Sequence, residues 1–370
     1  MSGVELEVQL TAVVVAVACA LPGVFLVLRR MALLSDAISH TVLLGIVLAF
    51  FVVEDLSSPV LVLGAATVGV LTVVLVQAVQ DTGLVREDAA IGLVFPALFS
   101  VAVILISRFA GDVHLDTDAV LLGELALAPF RRFAPGGVDL GPRSLWVMLG
   151  ILALNVLFLV AFYKELKLVT FDAELAAALG FSPLVLHYSF MGVVSLTAVG
   201  AFDAVGSVLV VAFMVAPPAA AYLLSDRLPR VLLWSAAIAA HGAVAGYWLA
   251  RWLDGSIAGA MAAMVGVDFL LAFLFAPERG VVAQARRRAS QRTEFAATML
   301  AIHLLHHEGG PDADRECRVG HLPEHLRWSP ERARFVVGAA ARDGLVRVEA
   351  GDRLALTEAG RLRARGAMTA

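Results

Sequence analysis

Apolar residues in this chain occur in long uninterrupted runs, unlike the short periodic stripes of a soluble domain. Nine runs approach the 20 or so residues that a helix needs to cross about 30 Å of hydrocarbon. They lie at about 8–28, 32–53, 59–79, 89–108, 145–163, 183–202, 206–224, 231–252 and 256–276. The pattern predicts an all-α polytopic membrane protein with about nine transmembrane helices.

Composition supports this prediction and also marks a boundary. The chain is 60% hydrophobic and 16% charged, whereas soluble domains carry about 25% charged residues. After Pro277 arginines outnumber acidic residues, while acidic residues outnumber basic ones before it. We therefore predict a transmembrane domain at 1–276, a basic juxtamembrane linker at 277–292 and a small cytoplasmic domain at 293–370.

Lysines and arginines in the short loops predict the orientation of the spans. The loops after the odd-numbered spans carry Arg29, Arg30, Arg86, Lys164, Lys167, Arg227, Arg230 and Arg279. An N-terminus on the outer side places all of these in the cytoplasm. The loop 109–144 departs from the rule, because it should lie outside and yet holds Arg131, Arg132 and Arg143. Its apolar segment 118–130 is too short to span, so we expect it to be re-entrant or to lie on the membrane surface.

The C-terminal region has clear start and stop signals. Ser329 is a good helix N-cap and Pro330 suits the first helical position. Asp343 and Gly344 end that helix, and two short strands follow around residues 350–352. With a preceding helix at 293–309, the order is helix, turn, helix and two-stranded wing.

This order, with its "DGLV" and "LTEAG" runs, resembles the DNA-binding domain of metal-dependent repressors of the diphtheria-toxin and manganese repressor type. The resemblance implies a small α+β winged-helix domain, in which Arg332 and Arg334 are candidate contacts to DNA or to a protein. The repressors' dimerisation domain has no counterpart in the sequence. We therefore favour a protein contact or a regulatory role and do not expect nucleic acid as a partner.

Histidines also cluster in this region. His303, His306 and His307 share one helical face through their i, i+3 and i+4 spacing. They are candidates to collect a metal ion, and the alternative is a surface cluster with no ligand.

The segment LLSDAISHTVLLG (33–45) places an acid and an imidazole inside a predicted span. Asp36 and His40 lie one turn apart on the same helical face, and both side chains ligate Mn²⁺, Zn²⁺ and Fe²⁺. Ionisable residues inside a membrane mark functional sites by default. A hydrogen bond that fastens the helix to a neighbour is the alternative, and spacing alone leaves both open. His241 and Asp268 form a second tier of candidates.

The sequence around this pair, RRMALLSDAISHTVLLGIVLAF (29–50), resembles a span of the membrane subunit of metal-uptake ABC transporters, the manganese/zinc/iron-chelate permease family. Further matching segments follow in the family's order at 87–107, 119–125, 171–183 and 204–224. The resemblance implies a type II ABC-importer permease fold. It also implies that Asp36 and His40 lie on the metal path, since they match the family's acid and histidine.

The chain does not contain the P-loop that an ATPase needs. Its only lysines, Lys164 and Lys167, do not follow a glycine. We therefore expect a permease subunit that is not an enzyme. The segment FDAELAAALGFSP (171–183) is a predicted short cytoplasmic helix and resembles the family's ATPase-docking segment. The residues expected to couple to the ATPase are Phe171, Asp172, Glu174, Leu175, Leu179 and Gly180.

The resemblance also implies partners and a location. The partners are ABC ATPase subunits, an extracytoplasmic metal-binding protein, and a second permease that is either identical or a paralogue. The location is a bacterial inner membrane, with the C-terminal domain in the cytoplasm. We expect no permanently bound cofactor and a transported divalent metal, with Mn²⁺ favoured and Zn²⁺ or Fe²⁺ as alternatives. A membrane-tethered regulator and a secondary transporter are the competing functions.

Overall fold

The computed structural model describes residues 3–55, 58, 60–109, 125–134 and 139–369. Within these residues, nine helices are long and apolar enough to cross a membrane, in agreement with the nine predicted runs. Eleven α-helices precede residue 280, of which α6 and α7 are short: α1 (Gly3–Leu28), α2 (Ala32–Val53), α3 (Val60–Asp81), α4 (Glu87–Phe109), α5 (Arg143–Ala161), α6 (Tyr163–Phe171), α7 (Ala173–Ala178), α8 (Pro183–Val205), α9 (Ser207–Leu224), α10 (Leu228–Leu253) and α11 (Ile257–Phe275).

The chain divides into two compact units, Met1–Gly280 and Val281–Ala370. The second unit contains helices and one two-stranded sheet: α12 (Val281–His307), α13 (Ala313–Glu316), α14 (Leu322–Leu326), α15 (Pro330–Arg342), β1 (Val346–Glu349), β2 (Arg353–Leu356) and α16 (Glu358–Thr369).

Helix α1 lies in the centre of the membrane unit, against α5, α8, α9 and α10. Its contact with α9 requires a glycine, because a Cβ on Gly23 would lie 2.2 Å from the carbonyl oxygen of Met214. Buried Asn155 of α5 donates a hydrogen bond of 2.9 Å to the carbonyl of Ala18 and accepts one of 3.1 Å from Thr197 of α8. Small residues and buried hydrogen bonds are the usual means by which helices associate in lipid.

Helix α2, which carries the candidate pair, packs on α3 and α4. The α2–α3 contact is close at Gly45, where a Cβ would lie 2.3 Å from the carbonyl oxygen of Gly64. One turn from this contact, the hydroxyl of Thr72 donates to that of Thr41 across 2.7 Å. These contacts fix the position and rotation of α2, and thereby the direction in which its ionisable residues point.

Ion pairs connect the segments predicted to lie on the outer side. Arg132 pairs with Glu7 at 2.7 Å and with Asp139 at 2.6 Å, and Arg131 pairs with Asp203 at 3.2 Å. Two of the three arginines that broke the loop-charge rule, Arg131 and Arg132, thus lie beside carboxylates.

On the opposite side, contacts join segments predicted to be cytoplasmic. Arg29 donates from Nε to the hydroxyl of Thr170 at 3.0 Å and lies over the ring of Phe190. Burial lowers the pKa of Arg29 to about 10, so the guanidinium stays protonated at neutral pH. Arg279 donates to the carbonyl of Tyr222 at 3.0 Å.

In the second unit, α15 begins and ends at the predicted residues. The hydroxyl of Ser329 accepts from the backbone N–H of Arg332 at 3.2 Å, which caps the helix start. The helix ends at Arg342, and Gly344 takes a left-handed conformation with φ +69°. Residues of α12 and α15 form the buried core of the unit together with the two strands.

The two strands form an antiparallel hairpin in which Val346 pairs with Leu356 and Glu349 with Arg353. Two of the three residues in the turn, Gly351 and Asp352, have positive φ, a conformation that glycine and aspartate tolerate better than most residues. The predicted hairpin is therefore present within the C-terminal unit.

Three features differ from the sequence prediction or add to it. Helix α12 is continuous from Val281, so the predicted linker and the next helix form a single element. Helix α16 was not predicted; it follows Thr357, whose hydroxyl accepts from the N–H of Gly360 at 3.0 Å and caps the helix start. Of the segment 118–130, residues 118–124 lie outside the described residues, and Leu125–Phe130 forms a 3₁₀ helix.

Candidate functional site

Asp36 and His40 lie on successive turns of α2, with 3.5 Å between Asp36 Oδ1 and His40 Nε2. Their side chains are 49% and 32% exposed, respectively. The neighbouring hydroxyls of Ser35 and Ser39 are buried and donate to carbonyls of the same helix. The pair therefore offers a carboxylate and an imidazole at one accessible face of a span, which is the donor set that a divalent transition metal requires.

Aromatic side chains of α4 form a wall beside the imidazole. The ring centroids of Phe95 and Phe99 lie 5.4 Å and 6.2 Å from that of His40. Such apolar surroundings exclude water, and a cation near the pair would interact more strongly with its ligands there than in bulk solvent.

His241 and Asp268 are brought together by the fold from α10 and α11. His241 Nδ1 lies 2.9 Å from Asp268 Oδ2, and only 12% of the Asp268 side chain is exposed. The pair lines a cavity of about 390 Å³ whose other walls are apolar, Trp234 and Phe275 among them. This arrangement is a hydrogen bond between two helices, and its acceptor oxygen already has a partner.

Two further polar residues, His187 and Asp203, lie on α8. His187 occupies the first turns of α8, where its Nε2 atom is buried and has no hydrogen-bond partner among the described residues. Asp203 lies at the other end of α8 and pairs with Arg131. Helix α8 thus separates them by almost its full length.

The predicted coupling segment forms α6 and α7. The carboxylate of Asp172 accepts from the N–H of Leu175 at 2.9 Å and caps α7, and Gly180 follows the helix with φ +88°. Phe171, Leu175 and Leu179 are 64%, 46% and 61% exposed. We call Phe171, Asp172, Glu174, Leu175 and Leu179 the coupling surface. It presents apolar side chains beside two carboxylates, Asp172 and Glu174.

Arg332 and Arg334 lie in the first turns of α15, and both are exposed. Arg334 donates back to the carbonyl of Pro330 at 3.4 Å. Arg332 lines a cavity of about 330 Å³ that is also lined by Arg288 and Arg292 of α12. The structure thus makes this face of the second unit basic.

Comparison with known proteins identifies the membrane unit. The sequence profile of the ABC-3 family, the ABC 3 transport family, matches residues 4–276. The chain is 50% identical over 341 residues to the zinc transport system membrane protein TroD of Treponema pallidum, covering 92% of this chain and 93% of that protein. It is also 50% identical to the manganese transport system membrane protein MntD of Bacillus subtilis, covering 77% of this chain and 97% of that protein.

Similarity to TroD extends into the second unit, since a match of 341 residues is longer than the whole of Met1–Gly280. Among solved structures, the chain is similar to PsaBC from Streptococcus pneumoniae in complex with Fab. That match has a TM-score of 0.63 and 27% identity, and it covers 75% of this chain and 94% of the other.

These findings confirm the predicted permease, which has no ATPase site of its own. TroD and MntD are transport-system membrane proteins, so they give no support to the alternative of a membrane-tethered regulator. The match to an ABC transport family favours an ATP-driven transporter over the alternative of a secondary transporter. A family profile that covers the entire set of membrane helices, together with two relatives at 50% identity, shows that the chain belongs to the ABC 3 transport family as a membrane permease subunit.

Proposed function

We propose that this permease imports a divalent transition metal across a bacterial inner membrane, driven by a separate ATPase. Mn²⁺ is the favoured cargo, and Zn²⁺ and Fe²⁺ are alternatives. The observation that carries the proposal is the Asp36–His40 pair, which is accessible on a membrane helix that has no other ionisable side chain. The names of TroD and MntD, which refer to zinc and manganese, support this cargo class.

The exposure of the pair also favours a second permease subunit. A carboxylate that is 49% exposed on a membrane helix needs a partner or water, because contact with hydrocarbon costs several kcal/mol. A second chain on a two-fold axis would cover it and would supply a second Asp–His pair. The partner is an identical chain or a paralogue. A transport-competent complex with one permease per two ATPases would contradict this assembly.

The test is uptake in liposomes that contain the permease, its ATPase and an extracytoplasmic metal-binding protein. Uptake of Mn²⁺, Zn²⁺ and Fe²⁺ would be compared for the wild type and for the double variant Asp36→Ala/His40→Ala. We expect ATP-dependent uptake of the cargo metal in the wild type and its loss in the variant. Uptake by the wild type also identifies the transported metal.

Asp203→Asn provides the matched control, because it removes an acidic group near the predicted outer end of α8, whereas Asp36 lies near the predicted cytoplasmic end of α2. It should leave uptake near the wild-type rate. Uptake that persists in the double variant, with ATPase binding unchanged, would show that the pair only joins helices. Attention would then move to His241 and Asp268.

We further propose that the coupling surface binds the ATPase. Its apolar side chains protrude while Ala176 is buried beneath them, so the short helix is anchored and still presents a contact face. Leu179→Asp should abolish co-purification of the ATPase and ATP-driven uptake. Leu127→Asp, at a residue 53% exposed on the predicted outer side, should affect neither. Equal ATPase binding by both variants would contradict the assignment.

For the second unit we propose a cytoplasmic winged-helix domain that acts on the transporter through protein contacts. Its order of α12, α14, α15 and the β1–β2 hairpin supports this, and so does the basic face that includes Arg332 and Arg334. Arg332→Glu/Arg334→Glu should change the uptake rate or the assembly of the full complex without changing affinity for DNA. Sequence-specific DNA binding by the wild type that is lost in this variant would overturn the proposal of a protein contact.

A further inference from the structure

Five of the nine histidines of the chain lie between residues 303 and 325, and four of them converge in the second unit. His303 and His307 lie one turn apart on α12, while His321 and His325 lie one turn apart at α14. Glu316 closes α13 between these helices. The fold therefore turns two sequence-distant i, i+4 pairs toward each other around a carboxylate.

Two overlapping sets of three side chains result. The ligand atoms of His303, His307 and His325 lie within 4.8 Å of one another, and so do those of Glu316, His321 and His325. Nitrogen ligands of one Zn²⁺ are about 2.0–2.1 Å from the ion and hence a little over 3 Å apart. Small rotations of the imidazole rings would bring the ligand atoms from these separations to those of a zinc site. His325 belongs to both sets.

Hydrogen bonding within the cluster is incomplete without an ion. His321 Nε2 and Glu316 Oε2 are buried and have no hydrogen bond of good geometry among the described residues, although Glu316 Oε1 lies 3.2 Å from the first atom and His325 Nε2 lies 3.3 Å from the second. Buried polar atoms without partners are costly. A divalent cation would engage a nitrogen and a carboxylate oxygen together.

The outer contacts of the cluster are those of metal-ligating histidines. His303 is 9% exposed, and its Nε2 lies 3.1 Å from the carbonyl oxygen of Glu316. Donation of Nε2–H to that carbonyl leaves Nδ1 as the free ligand, which is the usual way a protein orients a metal-bound imidazole.

We infer that the second unit contains a binding site for an imidazole-preferring divalent metal of the Zn²⁺ class, formed by His303, His307 and His325 with Glu316 and His321. The donor set of mainly nitrogen ligands suits Zn²⁺, Co²⁺ and Ni²⁺ better than Mn²⁺, which prefers oxygen. The site is separate from the Asp36–His40 pair and would hold its ion whatever metal the permease transports. The ion would tie α12 to α14 across the helix–turn–helix.

The structure also shows which histidine is not part of the site. Sequence spacing grouped His306 with His303 and His307, but His306 is exposed and belongs to neither set. It supplies a matched control on the same helix.

The test uses the full chain in lipid nanodiscs, stripped with a chelator and carrying Asp36→Ala/His40→Ala to silence the proposed transport pair. Co²⁺ is the probe, because its visible absorption reports tetrahedral nitrogen coordination, and bound metal is counted after dialysis. We expect the absorption spectrum of tetrahedral Co²⁺, and we expect added Zn²⁺ to abolish it by displacing the bound Co²⁺. His303→Gln and His325→Gln should lose it, with at least about a tenfold drop in affinity, the equivalent of about 1.4 kcal/mol. His306→Gln should retain it.

His325→Cys separates lost ligation from lost folding. It should keep the bound Co²⁺ and add a thiolate charge-transfer band, which a misfolded chain would not show. The inference is overturned if no tetrahedral Co²⁺ forms in the parent chain, if His325→Gln binds as the parent does, or if His306→Gln loses as much metal as His325→Gln. Every sample lacks Asp36 and His40, so this result does not depend on whether the liposome uptake experiment supports the proposed transport function.

Discussion

Two aspartate–histidine pairs lie among the apolar helices, and they are built in opposite ways. Asp36 and His40 belong to one helix and are 3.5 Å apart, with Asp36 49% exposed. His241 and Asp268 come from two helices and are 2.9 Å apart, with Asp268 12% exposed. The first pair leaves its carboxylate accessible to a cation, whereas the second uses its carboxylate to hold two helices together. Identical residue types therefore lie in different surroundings, from which we predict different roles.

The largest expected difference is in transport. His40→Asn removes an imidazole from the accessible pair and should lower metal uptake at least about tenfold, the equivalent of about 1.4 kcal/mol in metal binding. His241→Asn changes the same residue type in the second pair and should lower uptake much less. Initial uptake rates of both variants at several metal concentrations test this prediction. Equal losses of uptake in the two variants would show that the two pairs do not differ in their contribution to transport.

The second prediction concerns the packing that orients the first pair. A methyl group on Gly45 would meet the backbone of α3 at 2.3 Å, so Gly45→Ala should displace α2 and destabilise the membrane unit by about 1–3 kcal/mol. Gly150 of α5 has no atom within 4 Å of an added Cβ, and Gly150→Ala is the control. Thermal unfolding in detergent and yield of folded protein measure the effect. Unchanged unfolding of the Gly45 variant would show that α2 is free to shift.

A smaller effect is expected from the interhelical pair itself. Asp268→Asn keeps the shape of the side chain and weakens its hydrogen bond to His241. Interhelical hydrogen bonds in membranes average about 0.6 kcal/mol and reach about 1.7 kcal/mol, so a modest loss of stability should accompany nearly normal uptake. Complete loss of uptake in a stably folded variant would instead place Asp268 on the metal path.

The smallest effect is expected for a charge pair in the second unit. This solvent-exposed pair serves as a reference for the pairs among the membrane helices. Arg361 donates to Glu308 from α16, and the Arg361 hydrogen bond lowers the pKa of that carboxyl. Both side chains are about two-fifths exposed, so solvent screens the pair and Arg361→Ala should have the smallest effect on stability of these variants. Because the folded pKa is the lower one, this contribution is present above the ordinary glutamate pKa and is lost as pH falls through the folded value. Unfolding measured against pH and salt tests it, and a loss that is independent of both would contradict an electrostatic origin.

The spans and the first pair could be predicted because their information is local. A bilayer requires about 20 apolar residues per helix, and that requirement is visible in any one segment. The i, i+4 geometry of Asp36 and His40 follows from the helix alone, although their role on the metal path stays a prediction. Ser329 and Pro330 likewise marked the start of α15 because a helix cap depends on immediate neighbours.

Other features depend on contacts between distant segments and could not be predicted in this way. Sequence reasoning named His241 and Asp268 separately, without evidence that α10 and α11 would join them. It grouped His306 with His303 and His307, whereas the fold selects His325 from another helix. It also treated Arg131 and Arg132 as exceptions, because their carboxylate partners lie up to 125 residues away in the chain.

The sequence by itself therefore determined the membrane class, the order of the membrane-spanning helices, the missing ATPase site and the composition of the Asp36–His40 pair. Each of these follows from hydrophobicity, backbone geometry or the presence of a residue within one segment. Only the tertiary structure decided which ionisable groups are already paired, which remain accessible, and which histidines meet around Glu316. The physical reason is that packing sets those distances through close contacts such as that of Gly45 with Gly64, and such contacts join residues that no local pattern relates.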